Sequence, residues 1–158
     1  IREKNIPCLG ICLGMQLMAI EFARNVLGLQ DANSTEFNKD CKHQIYQMMD
    51  GNLRLGDQDC LIHKGTVAEE IYKANAIKQR HRHRYGFVNP EYIKMFNDKG
   101  LKISAISKYN NLTVAEFSEL PKNLCYIGCQ FHPEFHSRPK DTDPIFTYLI
   151  KKGLAYNT

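Results

Sequence analysis

Five residues, Gly10-Ile11-Cys12-Leu13-Gly14, constrain this chain more than any other stretch. The run leading into them, Pro7-Cys8-Leu9-Gly10-Ile11, is apolar but too short for a helix, and it reads as a buried strand. From Leu13 onward the period changes. Met15, Met18, Ala19, Phe22, Ala23 and Val26 recur at helical spacing, with Gln16, Glu21, Arg24 and Asn25 between them, and Gly28 is a natural stop. A strand, a sharp bend at Cys12 and an amphipathic helix follow. On so tight a bend, bulky residues two positions away on either side would clash, so glycine is expected at both. The bend places the sulfur at a helix N-terminus, where the partial positive charge favours thiolate. It also leaves the Leu13 N–H free to face a developing oxyanion. The plain alternative is a structural cysteine between two incidental glycines.

A second constellation, His132-Pro133-Glu134, follows the apolar run Tyr126-Ile127-Gly128-Cys129-Gln130-Phe131. Pro133 biases His132 toward extended backbone, and residues two apart in extended chain project to the same side. Glu134 is therefore expected to orient the imidazole while the other ring nitrogen faces a thiol. The preceding run reads as a strand delivering His132 to the carboxyl edge of a sheet, where open α/β sheets carry their sites. A His-Pro turn with a surface glutamate is the bland alternative. Together, a cysteine on an early elbow and a His-x-Glu after a late strand supply the ordered parts of a Cys–His–Glu triad.

The remaining pattern interleaves strands and helices, so the class is α/β with one main sheet. Residues 31–52 read as polar and irregular. Residues 52–62 read as strand-like with a turn at Gly56-Asp57, and 66–73 as a short helix capped by Thr66 with Glu69 three residues on. Asn89-Pro90-Glu91 opens a helix that Gly100 ends, and Asp143-Pro144 opens a last one with Gly153 as its stop. Strands are expected over 101–107, 112–120 and 125–131.

With 158 residues the chain is long enough for one domain with a real core. Its 43% hydrophobic and 24% charged content excludes wholesale disorder, and no apolar run approaches the length of a membrane span. The net charge of +4 resides largely in Arg80-His81-Arg82-His83-Arg84. Such runs are usually solvated faces, and this one lacks interleaved aromatics beyond Tyr85, so nucleic acid is not the expected partner. Cys8, Cys12, Cys125 and Cys129 lie in apolar runs where reduced thiols behave as small hydrophobes, which points to a reducing, cytoplasmic setting. No Cys-x-x-Cys pair exists, and no metal site is expected.

At this point the chain resembles a known family, the class I (triad) glutamine amidotransferases, and within it the amidotransferase domain of the CTP synthases. The matching stretches are Cys12-Leu13-Gly14-Met15-Gln16, Asp31-Ala32-Asn33-Ser34-Thr35-Glu36-Phe37, Leu53-Arg54-Leu55-Gly56, Arg80-His81-Arg82-His83-Arg84-Tyr85, and Gln130-Phe131-His132-Pro133-Glu134-Phe135 with Ser137-Arg138-Pro139. The elbow and His-Pro-Glu recur across the superfamily, whereas the Asn-Ser-Thr-Glu-Phe and Arg-His-Arg-His-Arg-Tyr runs point to the CTP synthases. The resemblance implies a flavodoxin-like three-layer sandwich with a mainly parallel central sheet. It implies that residues 1–158 form one N-terminally incomplete glutaminase domain, lacking the first strands, a glycine-rich loop before the elbow and part of the segment between Phe37 and Leu53.

The resemblance also implies roles. Cys12 would be the nucleophile, His132 the general base and acid, and Glu134 its orienter. Leu13, Gly14, Met15, Gln16, Glu36, Arg84 and Tyr85 would hold L-glutamine. The domain itself would need no cofactor; ATP and Mg²⁺ would serve a synthase domain elsewhere in the same polypeptide, which would assemble as a homotetramer. No nucleic acid or membrane partner is implied. The rival within the architecture is a γ-glutamyl peptidase or another hydrolase with a cysteine elbow.

Overall fold

The computed structural model describes residues 1–156. The elements run β1 (Cys8–Ile11), α1 (Leu13–Asn25), β2 (Ala32–Ser34), β3 (His43–Met48), β4 (Arg54–Ile62), α2 (Val67–Tyr72), β5 (Ala76–His83), β6 (Tyr85–Gly86), α3 (Pro90–Lys99), β7 (Lys102–Tyr109), β8 (Leu112–Glu119), β9 (Tyr126–Cys129) and α4 (Pro144–Tyr156). A 3-10 turn, Pro133–Phe135, lies between β9 and α4.

The main sheet has the order β1-β9-β8-β7-β4-β5, and a small second sheet has the order β2-β3-β6. The three-layer arrangement holds. On one face α1 and α3 pack Met15, Phe22 and Phe96 against Tyr46, Phe87 and Ala115. On the other, α2 and α4 bury Ala68, Ile71 and Ile145 against Cys60, Phe117, Ile127 and Phe131. The expectation of a mainly parallel sheet does not hold for the described residues. Only β1 and β9 run parallel in the main sheet; β9/β8, β8/β7, β7/β4 and β4/β5 are antiparallel. The connections explain why. A parallel return needs a crossover of about a dozen residues or more. Only Asn110 and Asn111 join β7 to β8, with Asn110 at φ 52, and residues 120–125 join β8 to β9.

Local chemistry sets the helix ends. Thr66 caps α2 by accepting from the Glu69 N–H at 3.2 Å, while Glu69 reaches back to the Gly65 N–H at 2.7 Å. Asn89 caps α3, Pro90 occupies its first turn, and Gly100 ends it at φ 106. Asp143 accepts from the Ile145 N–H at 3.0 Å to open α4, and also takes Tyr72 Oη at 3.0 Å and Gln79 Nε2 at 2.8 Å. The last helix does not stop at Gly153 but runs on to Tyr156.

Three further expectations are corrected. Residues 31–52 are not irregular throughout, because β2 and β3 form there as a short parallel pair. Gly56 makes no turn; its φ of 96 is accommodated inside a continuous β4. The basic run is a solvated face only at its arginines: it ends β5, where Arg80 and Arg82 point outward while Gln79, His81 and His83 point inward. No helix among the described residues is long and apolar enough to cross a membrane.

Candidate functional site

Cys12 sits between β1 and α1 with φ 51 and ψ −102, backbone that a non-glycine residue seldom adopts. Its surroundings hold it there. The Cys12 N–H donates to the Cys129 carbonyl at 2.7 Å, one step beyond the β1/β9 ladder, and the Cys12 carbonyl accepts from Gln16 at 3.3 Å to start the helix. Gly10 is obligatory: a Cβ there would stand 2.3 Å from Met18 Sδ and 2.6 Å from the Gly14 carbonyl carbon. The matching argument for Gly14 is not upheld, since a Cβ at that position would meet nothing within 4 Å.

The sulfur receives two donors, the Leu13 N–H and, at 3.5 Å, Gln130 Nε2. Burial nevertheless pushes the Cys12 thiol above its ordinary range; the two donors pull it down, and the Glu134 and Glu36 carboxylates push it up again. Desolvation and the two nearby anions thus oppose the thiolate that the helix terminus was expected to favour.

His132 follows β9, the strand paired in parallel with β1, so elbow and imidazole emerge at the same edge of the sheet. Its N–H donates to the Arg80 carbonyl at 2.8 Å. Its Nδ1 lies 2.6 Å from Glu134 Oε1. Glu134 gets there from the 3-10 turn that starts at Pro133, rather than from the extended backbone expected for it. Phe135 stacks on the imidazole at 5.0 Å between centroids and 25° between planes, with Arg80 over its ring at 6.0 Å. Among the described residues the Cys12 sulfur is hydrogen-bonded to Gln130, not to His132.

Beside the elbow opens a cleft of about 340 Å³. Cys12, Leu13, Gln16, Glu36, Arg84 and Tyr85 all line it. Leu53, Arg82 and His83 complete its wall. Gln16 is 3% exposed; its Nε2 donates to Gln130 Oε1 at 3.3 Å, and its Oε1 has no partner. Glu36 and Arg84 are exposed, and Tyr85 is half-buried. Met15 does not join them. It is fully buried beneath β9, with its side chain against Gly128. Gly14 lies in the first turn and is not part of the cleft lining.

Behind the cleft wall lies a buried polar cluster that sequence reasoning did not find. Glu116 Oε1 pairs with Arg54 Nη1 and accepts from Ser107 Oγ, and Arg54 Nη2 reaches Ser107 at 2.9 Å. His83 Nδ1 lies 2.8 Å from the Tyr85 carbonyl, which can only accept, so that nitrogen carries the proton. His83 Nε2 then accepts from His81 Nδ1 at 3.0 Å, leaving His81 Nε2 for the Cys60 thiol at 3.6 Å. Burial first, and Arg54 after it, push His81 down to about 2 and His83 to about 4, so both are neutral. Cys60, His81 and Glu116 bring potential ligand atoms within 4.8 Å of one another. They do not make a good cation site: His81 turns different nitrogens to Cys60 and Glu116, and Arg54 already supplies the positive charge. The sequence signal for this cluster was the period-two alternation of residues 79–83, masked by its charge.

Comparison with known proteins agrees with this geometry. The family model for glutamine amidotransferase class-I matches residues 1–152. A CTP synthase of Hydrogenobaculum is 48% identical over 98% of this chain, and one of Aquifex aeolicus 47% identical over the same share. The chain spans about 30% of the length of each. The structure of the Trypanosoma brucei CTPS glutaminase domain with bound acivicin superposes with a TM-score of 0.91 at 38% identity, covering 98% of this chain and 62% of that one. With an elbow cysteine, a His–Glu pair on the neighbouring strand end and a family match over nearly its whole length, this chain belongs to the class-I glutamine amidotransferases.

Proposed function

We propose that this chain is the glutaminase domain of a CTP synthase, and that it hydrolyses L-glutamine to glutamate and ammonia. The observation that carries the reading is the convergence of Cys12, Leu13, Gln16, Glu36 and Arg84 on one cleft, beside a strand end bearing the His132–Glu134 pair. Free glutamine presents an α-ammonium, which the Glu36 carboxylate can pair with, and an α-carboxylate, which Arg84 can take. Gln16 lines the same cleft, with its Nε2 held by Gln130.

In this reading His132 Nε2 takes the thiol proton, since Nδ1 is engaged by Glu134, and Cys12 sulfur attacks the side-chain amide carbon. The oxyanion is held by the Leu13 N–H. The C–N bond breaks as His132 returns the proton to the leaving ammonia, and a γ-glutamyl thioester remains. Water then gives a proton to His132 and adds to the thioester, the C–S bond breaks, and the thiol and glutamate are restored. The substrate ammonium on Glu36 offsets one of the two anions that oppose thiolate formation, so binding itself helps to activate the nucleophile.

Ammonia from this site would serve the amination of UTP to CTP in a synthase domain of the same polypeptide, as in the relatives named CTP synthase. ATP and Mg²⁺ would act in that second chemistry, and a homotetramer in the cytoplasm is the assembly and setting this reading carries. The test uses the full-length protein. Cys12→Ser should abolish glutamine-dependent CTP formation while leaving formation from added ammonia intact. Acivicin, bound in the Trypanosoma brucei domain, should label Cys12. Labelling at Cys41 or Cys60 instead, or hydrolysis of γ-glutamyl peptides in preference to free glutamine, would overturn the assignment.

A further inference from the structure

Gln130 is fully buried just past β9, two residues before His132. Its backbone N–H is fixed on the Glu116 carbonyl at 2.9 Å, so the side chain leaves the sheet in one direction. That direction is toward the elbow. Its Nε2 stands 3.5 Å from Cys12 Sγ, and its Oε1 accepts from Gln16 Nε2 at 3.3 Å. Nothing in the triad chemistry uses this residue. Yet its amide is the side chain that the described structure hydrogen-bonds to the reacting sulfur, where a His132 contact was expected.

We infer that Gln130 is a further catalytic residue, whose amide N–H holds the Cys12 sulfur and stabilises its anion, and that Gln16 fixes which end of that amide faces the sulfur. The inference rests on the proposed reading of Cys12 as the nucleophile. When the S–H bond breaks, the proton goes to His132. The charge left on sulfur is shared by the Leu13 and Gln130 N–H groups, and the amide itself gains and loses no proton. A hydrogen bond to an anion is roughly twice as strong as a neutral one, so the donor favours the thiolate over the thiol. Gln16 supports this geometry from the other side: its Nε2 holds Gln130 Oε1, so the amide presents its N–H rather than its oxygen to the sulfur.

The groups facing the sulfur are known. Glu134 comes from the 3-10 turn and Glu36 from the segment after β2, and both disfavour the anion; His132 lies beyond β9, and Tyr46 and Cys129 lie below. All of them persist when Gln130 is changed, so a change in Cys12 ionisation reports the amide.

The test is alkylation of Cys12 in the full-length protein by iodoacetamide, a neutral probe that needs no glutamine recognition, followed by peptide mass mapping against pH. In Gln130→Met, which keeps the length and removes the donor, the midpoint should move up by about one to two pH units. Glutamine turnover should fall roughly ten- to a hundred-fold, with a smaller change in KM. Gln130→Glu, which keeps the shape, Gln16's partner and the means to fold, should raise the midpoint further by placing an anion beside the sulfur. A midpoint that stays put or falls in either folded variant overturns the role of Gln130 and leaves Cys12 as the nucleophile. A wild-type protein whose Cys12 resists alkylation across the whole range overturns both.

Discussion

Two of the imidazole–carboxylate pairs in this chain, His81–Glu116 and His132–Glu134, behave in opposite ways. His81 and Glu116 are both completely buried, whereas His132 and Glu134 are 19% and 44% exposed. In the first pair the atoms stand 3.7 Å apart, and Arg54 answers the carboxylate instead. In the second the contact is 2.6 Å, and no cation intervenes. His81 has a partner on each nitrogen and is held neutral by desolvation. His132 spends one nitrogen on Glu134 and keeps the other available. The same residue types thus make a structural tie in one place and, in the proposed reading, a proton carrier in the other. What separates them is access to water and a nitrogen left over, not the identity of the groups.

The sharpest way to break this contrast is to remove one ring from the open pair. His132→Ala should lower glutamate release by about 10³-fold while thermal stability changes by only about 2 °C or less. A collapse in stability would put His132 in the structural class. The reverse is expected of the buried pair. Glu116→Ala leaves Arg54 unanswered in the core, which costs about 3–5 kcal/mol and lowers Tm by roughly 10 °C or more, read by calorimetry.

The next effect comes from pH. His83 is depressed from 6.5 to about 4, so on acidification the unfolded chain takes up a proton before the folded one does. Stability is therefore full above about pH 6.5, and the His83 share of it, about 3 kcal/mol, is lost as pH drops toward 4, with His81, depressed to about 2, adding to the slope. Urea midpoints measured across this window should show the slope, and His83→Gln should make it shallower, leaving the part that His81 carries. The smallest effects test the elbow. Gly10→Ala, which collides with Met18 and Gly14, should cost about 1–3 kcal/mol. Gly14→Ala, in open space inside a helix, should change stability by about 1 kcal/mol or less.

The parts legible in the sequence were those written in consecutive residues. The elbow is local, because strand, bend and helix change period across three positions. His-Pro-Glu is local too, although its geometry comes from a tight turn rather than extended chain. The antiparallel sheet was legible in principle, since Asn110-Asn111 between two strand-like runs leaves no room for a crossover. It was missed because the resemblance spoke for a parallel sheet. The strands β2 and β3 carry little hydrophobic signal: Ala32–Ser34 has one apolar residue, and its partner is rich in glutamine. The buried cluster draws Arg54, His81, His83, Ser107 and Glu116 from β4, β5, β7 and β8. No spacing rule joins residues so far apart, and a buried arginine looks in sequence like an exposed one. Gln130 was invisible as a functional residue for a related reason: its chemistry depends on a neighbour 118 positions away.

One short contact gives the molecule an unadvertised gauge. The bond of 2.8 Å from His83 to the Tyr85 carbonyl ties the hidden cluster to the rim where substrate would land. On its other side the rim is held by the pairing of Tyr85 with Met48 and by the Met49 N–H on the Arg84 carbonyl at 3.2 Å. A disturbance that begins deep between the strands, whether an added proton or a lost arginine, can thus be felt by a molecule in the cleft without any atom around the Cys12 sulfur being altered.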